Sequence, residues 1–220
     1  MFIKFNKALV DIDYIIGFDL ALYNTGVCVY DIKNKKMMST LMISVDKTET
    51  QPAAILYEKI MMFFEMLKAV FPMMRGAMVL QEQMPQQAGF HTTVATLQGL
   101  AKAHAMLELA VYQTDGFEFY DEKGIHSVSV KALFKTEEIQ KPTKTDIKRV
   151  VSAYYGYKMS DLTDDQSDSM ALVYTLLNKK WNADIIAKIK EEKKEIKSLK
   201  MQKAIEERQE KIAWLEQLKI

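Results

Sequence analysis

Four acidic side chains, Asp19, Glu82, Asp165 and Asp168, stand where apolar runs give way to polar residues, and carboxylates so placed can do chemistry. Asp19 follows Tyr14-Ile15-Ile16-Gly17-Phe18, and Glu82 comes just after Met78-Val79-Leu80. Asp165 and Asp168 open an apolar helix one turn apart, so both project to nearly the same face. Each acid has an ordinary alternative. An aspartate at a strand end can cap a turn, and acids in a first helical turn gain from the helix dipole, although Asp168 lies farther in and gains less. A carboxylate beside a core, as expected for Glu82, costs free energy unless it is paired or coordinates a metal. Two carboxylates about 4 Å apart repel by about 4 kcal/mol at an effective dielectric near 20, so four sharing one site call for cations. Oxygen-only ligands favour hard divalent ions, Mg2+ with Mn2+ as a substitute. Two such ions in one site can activate a water and stabilise the leaving oxygen in phosphodiester hydrolysis.

The elements that must position these acids are legible in outline. Residues 14 to 30 read as two strands with Asn24-Thr25-Gly26 as the tight turn between them. Met37 to Val45 continues as a third strand, antiparallel to the second across Asp31-Ile32-Lys33-Asn34-Lys35. From Pro52 to Phe71, residues Ile55, Leu56, Ile60, Phe63, Phe64, Leu67 and Val70 recur at helical spacing, and Pro72 stops the helix. Ala77 to Leu80 is a short buried strand ending at Gln81-Glu82-Gln83, and Val94 to Tyr112 is an apolar helix, an order that suggests a parallel crossover. Ile125 to Val130 supplies a fifth strand, and Thr143 to Tyr155 and Asp164 to Leu177 read as helices. The expected fold is α/β, a mixed five-stranded sheet with helices on both faces.

Composition narrows the class. A chain of 220 residues, 49% of them hydrophobic, suits one domain with an appendage. We expect a domain over residues 1–181 and a charged helical extension over 182–220, where Lys and Glu dominate, Gly and Pro are missing and the heptad spacing of Ile185, Ile189, Ile196 and Leu199 breaks at Met201. One cysteine, Cys28, has no intramolecular partner, and neither a signal peptide nor an apolar run near eighteen residues stands out, so a soluble protein of the cytoplasm with no membrane partner is expected. The net charge of +1 gives no global sign of nucleic-acid binding. Residues 131 to 158 nevertheless hold seven basic against three acidic residues, and phosphate contacts need local rather than net charge.

Ile16-Gly17-Phe18-Asp19, Thr25-Gly26, Leu80-Gln81-Glu82-Gln83 and Asp165-Gln166-Ser167-Asp168-Ser169-Met170-Ala171, taken in this order, resemble the RuvC Holliday-junction resolvases over about residues 14 to 177. The resemblance implies an RNase H-like fold and a homodimer that nicks opposing strands of a branched, four-way DNA junction with divalent metal. Phage-encoded members of the family exist, and the drift of this sequence suits one acting in the cytoplasm of a bacterial host. Carried across, Asp19, Glu82, Asp165 and Asp168 become catalytic metal ligands, and Lys131 and Lys144 match positions where the family places basic residues near the cleaved strand, with Lys148 in the same stretch as Lys144. The family's usual Pro-Gly after the first aspartate is Leu20-Ala21 here, and its aromatic three positions after the glutamate is Pro85, which leaves Phe90 or His91 to stack on an unpaired base. A sugar-kinase or chaperone-type ATPase shares the opening motif, but the chain lacks that group's second half and second Asp-x-Gly loop, so no nucleotide cofactor is expected. A non-cleaving binding protein of the same fold would not need all four acids. A ribonuclease H-type nuclease remains a rival.

Overall fold

The computed structural model describes residues 12–85, 93–121, 123–181, 190–191, 193–194 and 202–217. Three strands open it, β1 (Tyr14–Asp19), β2 (Asn24–Asp31) and β3 (Lys36–Ser44), followed by α1 (Pro52–Val70), β4 (Ala77–Gln81), α2 (Val94–Gln113) and β5 (Phe117–Phe119). Then come α3 (Ser127–Leu133), α4 (Lys144–Tyr155), a 3-10 turn at Met159–Asp161, α5 (Asp164–Thr175), which runs on into a π-helical stretch at Leu176–Trp181, and α6 (Gln202–Gln217). The sheet order is β3-β2-β1-β4-β5. β1 pairs antiparallel with β2 and parallel with β4, and β5 adds parallel to β4, so the mixed α/β sheet expected from the sequence is the one found.

Alternation along β1 sends Ile16 and Phe18 to one face and Ile15 to the other, and each face has its own core. On the first face α1 and α2 cover Phe18, Val27, Val79 and Phe117 with Leu56, Ile60, Phe64 and Leu107. Phe18 meets Phe63 and Phe64 edge-on, with ring centroids 6.1 Å away in each case. On the second face α5 lies on β1 and β2, with Met170, Val173 and Leu176 buried against Ile15, Cys28 and Leu80. Side chains of this size contribute about 2–3 kcal/mol each when fully buried. Ile212 and Leu215 of α6 are buried in the second core, with Trp214 packed against it, and Lys193 pairs with Glu216 at 3.4 Å.

Two expectations are corrected. Asn24-Thr25-Gly26 is not the turn between the first strands; it begins β2, with Gly26 opposite Asp19, and residues 20–23 make the connection. Thr25 is fully buried, and its hydroxyl donates to the Ala21 carbonyl at 2.7 Å while accepting from the Ala21 N–H at 3.2 Å, which closes that connection. Ile125 to Val130 is likewise not a strand, because only Ile125 pairs, in a single parallel bridge to Glu82, and the edge strand is Phe117–Phe119. The alternation of Ser127, Val128, Ser129 and Val130 suits a strand, but Val130 and Phe134, one helical turn apart, both bury in the second core while Val128 is left exposed. His126 caps the helix so formed, its Nδ1 accepting from the Val128 N–H at 3.2 Å.

Candidate nuclease centre

Asp19 and Glu82 leave neighbouring parallel strands at the same end of the sheet. Asp19 closes β1, and Glu82 is the residue after β4, held extended by the bridge to Ile125, whose N–H donates to the Gln81 carbonyl at 2.7 Å and whose carbonyl accepts from the Gln83 N–H at 2.8 Å. Strand alternation turns both toward the α5 face, since Ile15 in β1 and Met78 and Leu80 in β4 already lie in the second core. Two glycines let α5 come close enough to meet them. A Cβ on Gly17 would stand 2.5 Å from the Ser169 carbonyl oxygen, and one on Gly26 would overlap the Asp165 carbonyl. The helix start is fixed by a capping box in which the Thr163 hydroxyl accepts from the Gln166 N–H and the Gln166 side chain accepts from the Thr163 N–H. Asp165 therefore lies in the first turn of α5, and Asp168 projects one turn deeper.

Asp19, Glu82 and Asp168 line one cavity of about 330 Å³, shared with Lys131, Lys144 and Ser127 and walled on the apolar side by Val130, Ile147 and Leu172. Asp165 does not line it but stands within electrostatic reach. Burial pushes the Asp19 carboxyl up to about 8, with the charges of Asp168, Glu82 and Asp165 adding and Lys144 opposing. Glu82 is raised by burial and by Asp168, against Lys131, a hydrogen bond from Ser127 and Lys144. Burial also raises Asp165, Lys144 pulling it back while Asp168 and Asp164 push it up. Lys144 donates to Asp168 Oδ2 at 2.9 Å, and that bond lifts its own pKa against the opposing effect of burial.

The clustered acids offer oxygen only, the ligand type that hard divalent cations take. As they stand, no three Asp, Glu, His or Cys side chains among the described residues are arranged as the shell of a metal ion. The ammonium of Lys144 holds Asp168 instead.

The remaining expected residues divide. Lys131 lines the cavity and acts on Glu82. Lys148 sits one turn beyond Lys144 on α4, outside the cavity lining, and pairs with Asp164 at 3.2 Å. Phe90 and His91 fall outside the described residues. Sequence reasoning missed Ser127, which the strand reading of 125–130 hid; a helix start there would have exposed it as the first helical residue after a capping histidine. It also missed Pro142 and Thr143 as cavity residues, although Thr143 with Asp146 three residues on is a capping-box signature.

No family model matches the chain, and no curated protein matches it in sequence. Solved structures do. The chain is similar to Thermus thermophilus RuvC, both alone and in complex with a Holliday junction substrate, at a TM-score of 0.54 and 13% identity in each case. The alignments cover 74% of this chain and 92% and 90% of those chains respectively. The yeast mitochondrial Holliday junction resolvase Ydc2 aligns less closely, at a TM-score of 0.48 and 14% identity over 77% of this chain and 82% of its own. At such identity the likeness is one of fold, and it agrees with the sheet order, the crossover and the helix on the acid-bearing face: the chain has the RuvC-like, RNase H-type α/β fold.

Proposed function

We propose that the chain is a divalent-metal-dependent endonuclease that cleaves branched DNA, the four-way junction above all. One observation carries the reading: strand ends and a helix that are distant in sequence bring Asp19, Glu82 and Asp168 to one cavity together with Lys131 and Lys144. Acids that only filled a structural role would be paired individually, and instead Asp19, Glu82 and Asp165 are raised, in part by other acids of the cluster. The solved RuvC complex with a junction supports the choice of substrate for this fold.

Asp19, Glu82, Asp165 and Asp168 would hold the metal, Mg2+ with Mn2+ as a substitute and two ions per site. When bound, it would supply charge stabilisation at the scissile phosphate and a water acidic enough to attack. The protein's own part follows from the cavity. Lys131 and Lys144 draw a phosphate toward the acids, since a local pair of cations is worth more to a phosphodiester than the net charge of the chain. Ser127 donates to Glu82 and fixes the direction in which that carboxylate presents its free oxygen. Val130, Ile147 and Leu172 keep bulk water from one side, which strengthens every charge interaction inside. Two opposing nicks require two such sites, so we propose a homodimer, with residues 182–220 as an extension to the nuclease domain.

The test is a parallel cleavage assay of a four-way junction, a fork, a linear duplex and an RNA–DNA hybrid with Mg2+ and with Mn2+. The expected result is paired, symmetric cuts in the junction. Selective cutting of the RNA strand of the hybrid would replace this reading with a ribonuclease H activity, and the absence of metal-dependent cutting of any substrate would overturn it.

A further inference from the structure

Lys144 occupies a position that local structure does not favour. It is the first residue of α4, where the helix dipole presents positive charge and a lysine is repelled rather than held. The capping needs of that helix are met without it, by the reciprocal hydrogen bonds between Thr143 and Asp146. Its ammonium nevertheless reaches from α4 to α5, to Asp168 Oδ2 at 2.9 Å, and its charge acts on Asp19, Glu82 and Asp165 as well. Lys148 is committed to Asp164, and Lys131 acts on Glu82. Lys144 is thus the cation that bonds directly to one of the four acids.

We propose that Lys144 is the exchangeable counter-ion of the acid cluster: it holds Asp168 until a divalent cation takes that carboxylate, and the released ammonium then binds a DNA phosphate, so that metal binding and DNA binding reinforce each other. The inference rests on the metal-dependent reading above and adds a linkage to it. The side chain of Lys144 is 65% exposed against 23% for Asp168, so the ammonium can swing outward on its stem while the carboxylate stays fixed on α5. Thermodynamic reciprocity then requires DNA to tighten the metal by the same factor as the metal tightens DNA. An ammonium in direct contact with the Asp168 carboxylate competes with the metal for it, whereas one that only lies nearby, such as Lys131, repels the metal without competing for its seat.

Calorimetric titration of Mn2+ into the full chain and into the Lys144→Gln and Lys131→Gln variants tests this. Junction binding is then followed by fluorescence anisotropy with and without Ca2+, and the integrity of the junction is checked on a denaturing gel. Lys144→Gln is expected to bind Mn2+ about fivefold tighter or more, well beyond the gain in Lys131→Gln, and to lose the Ca2+-dependent increase in junction affinity that the unaltered chain shows. Equal gains in the two variants would reduce the effect to general charge and overturn the proposal, as would coupling that survives in Lys144→Gln. Failure of the unaltered chain to bind Mn2+ at all would overturn both this inference and the metal-dependent reading, whereas Mn2+ binding that is indifferent to Lys144 would overturn the inference alone.

Discussion

Two aspartates flank the same strand and meet opposite fates. Asp13 precedes β1 at one end of the sheet, where the Arg75 N–H donates to Oδ2 at 2.7 Å and the guanidinium reaches Oδ1 at 2.6 Å. Burial pushes its carboxyl up, but the hydrogen bonds and charge of Arg75 prevail and hold it below the usual carboxylate range. Asp19 closes the strand at the other end, and there burial and three neighbouring acids drive it to about 8. One end of β1 is built for stability. The other gathers like charges, whose repulsion a bound cation would relieve under the proposed metal-dependent function.

The largest effect expected is on cleavage. Asp19→Asn should lower metal-dependent junction cleavage about a thousandfold, roughly 4 kcal/mol of transition-state stabilisation, while the circular dichroism spectrum stays unchanged. Activity within about tenfold of the unaltered chain would remove Asp19 from the site and end the contrast between the two aspartates. Next comes Ser127→Ala, which frees Glu82 from its hydrogen bond without touching the acids themselves. A loss of about 10- to 100-fold in cleavage, or in Mn2+ affinity, is expected from losing an outer-shell donor. Normal values of both would make the serine a bystander.

Stability against pH separates the two ends more finely. Asp19 keeps its proton in the folded chain up to about 8 but loses it near 3.8 when unfolded, so between those values the folded state binds more protons and stability falls as pH rises. Asp19→Asn should therefore stabilise the metal-free chain at pH 8, by about 2 kcal/mol, and leave it unchanged at pH 3.5, read as melting temperature in the presence of a chelator. A variant that melts at the same temperature as the parent at both pH values would show that the cluster's repulsion does not burden the folded state. Asp13 has the opposite sign. Its folded pKa is depressed, so its contribution is present above the unfolded value and lost as pH falls through the folded one. Arg75 is half exposed, and the pair is worth only about 0.5 kcal/mol, so Arg75→Ala should lower the melting temperature slightly at pH 7 with no change in cleavage or metal affinity. Any loss of activity would mean that the two ends of the strand are coupled.

The placement of the four acids at element ends was legible because an apolar run that stops at a carboxylate marks where an element leaves the core, and because three-residue spacing on a helix is a local fact; that they hold a metal is proposed. Helices α1, α2, α4 and α5 were legible because each runs for twelve residues or more, and the first three strands because β-branched and apolar residues fill them over six to nine residues. Ile125 to Val130 was not, because a seven-residue helix with alternating serine and valine has no clear period, and only the core into which Val130 and Phe134 pack selects helix over strand. Thr25-Gly26 could be read as a turn as easily as a strand start. Its role depends on Asp165, a residue about 140 positions away that needs the space where a Cβ would be.

By itself, then, the sequence determined the local terms of this protein: which segments are helix or strand where a period is long, which side chains are charged, and which four carboxylates stand at element ends. Only the tertiary structure decided the long-range terms. It set Asp19 and Glu82 on neighbouring strand ends, turned Ser127 toward Glu82, and tied Lys144 to Asp168. Electrostatic energy depends on distance through space and on burial, neither of which is encoded in spacing along the chain. That is why Asp13 and Asp19, six residues apart at the two ends of one strand, carry shifts of opposite sign.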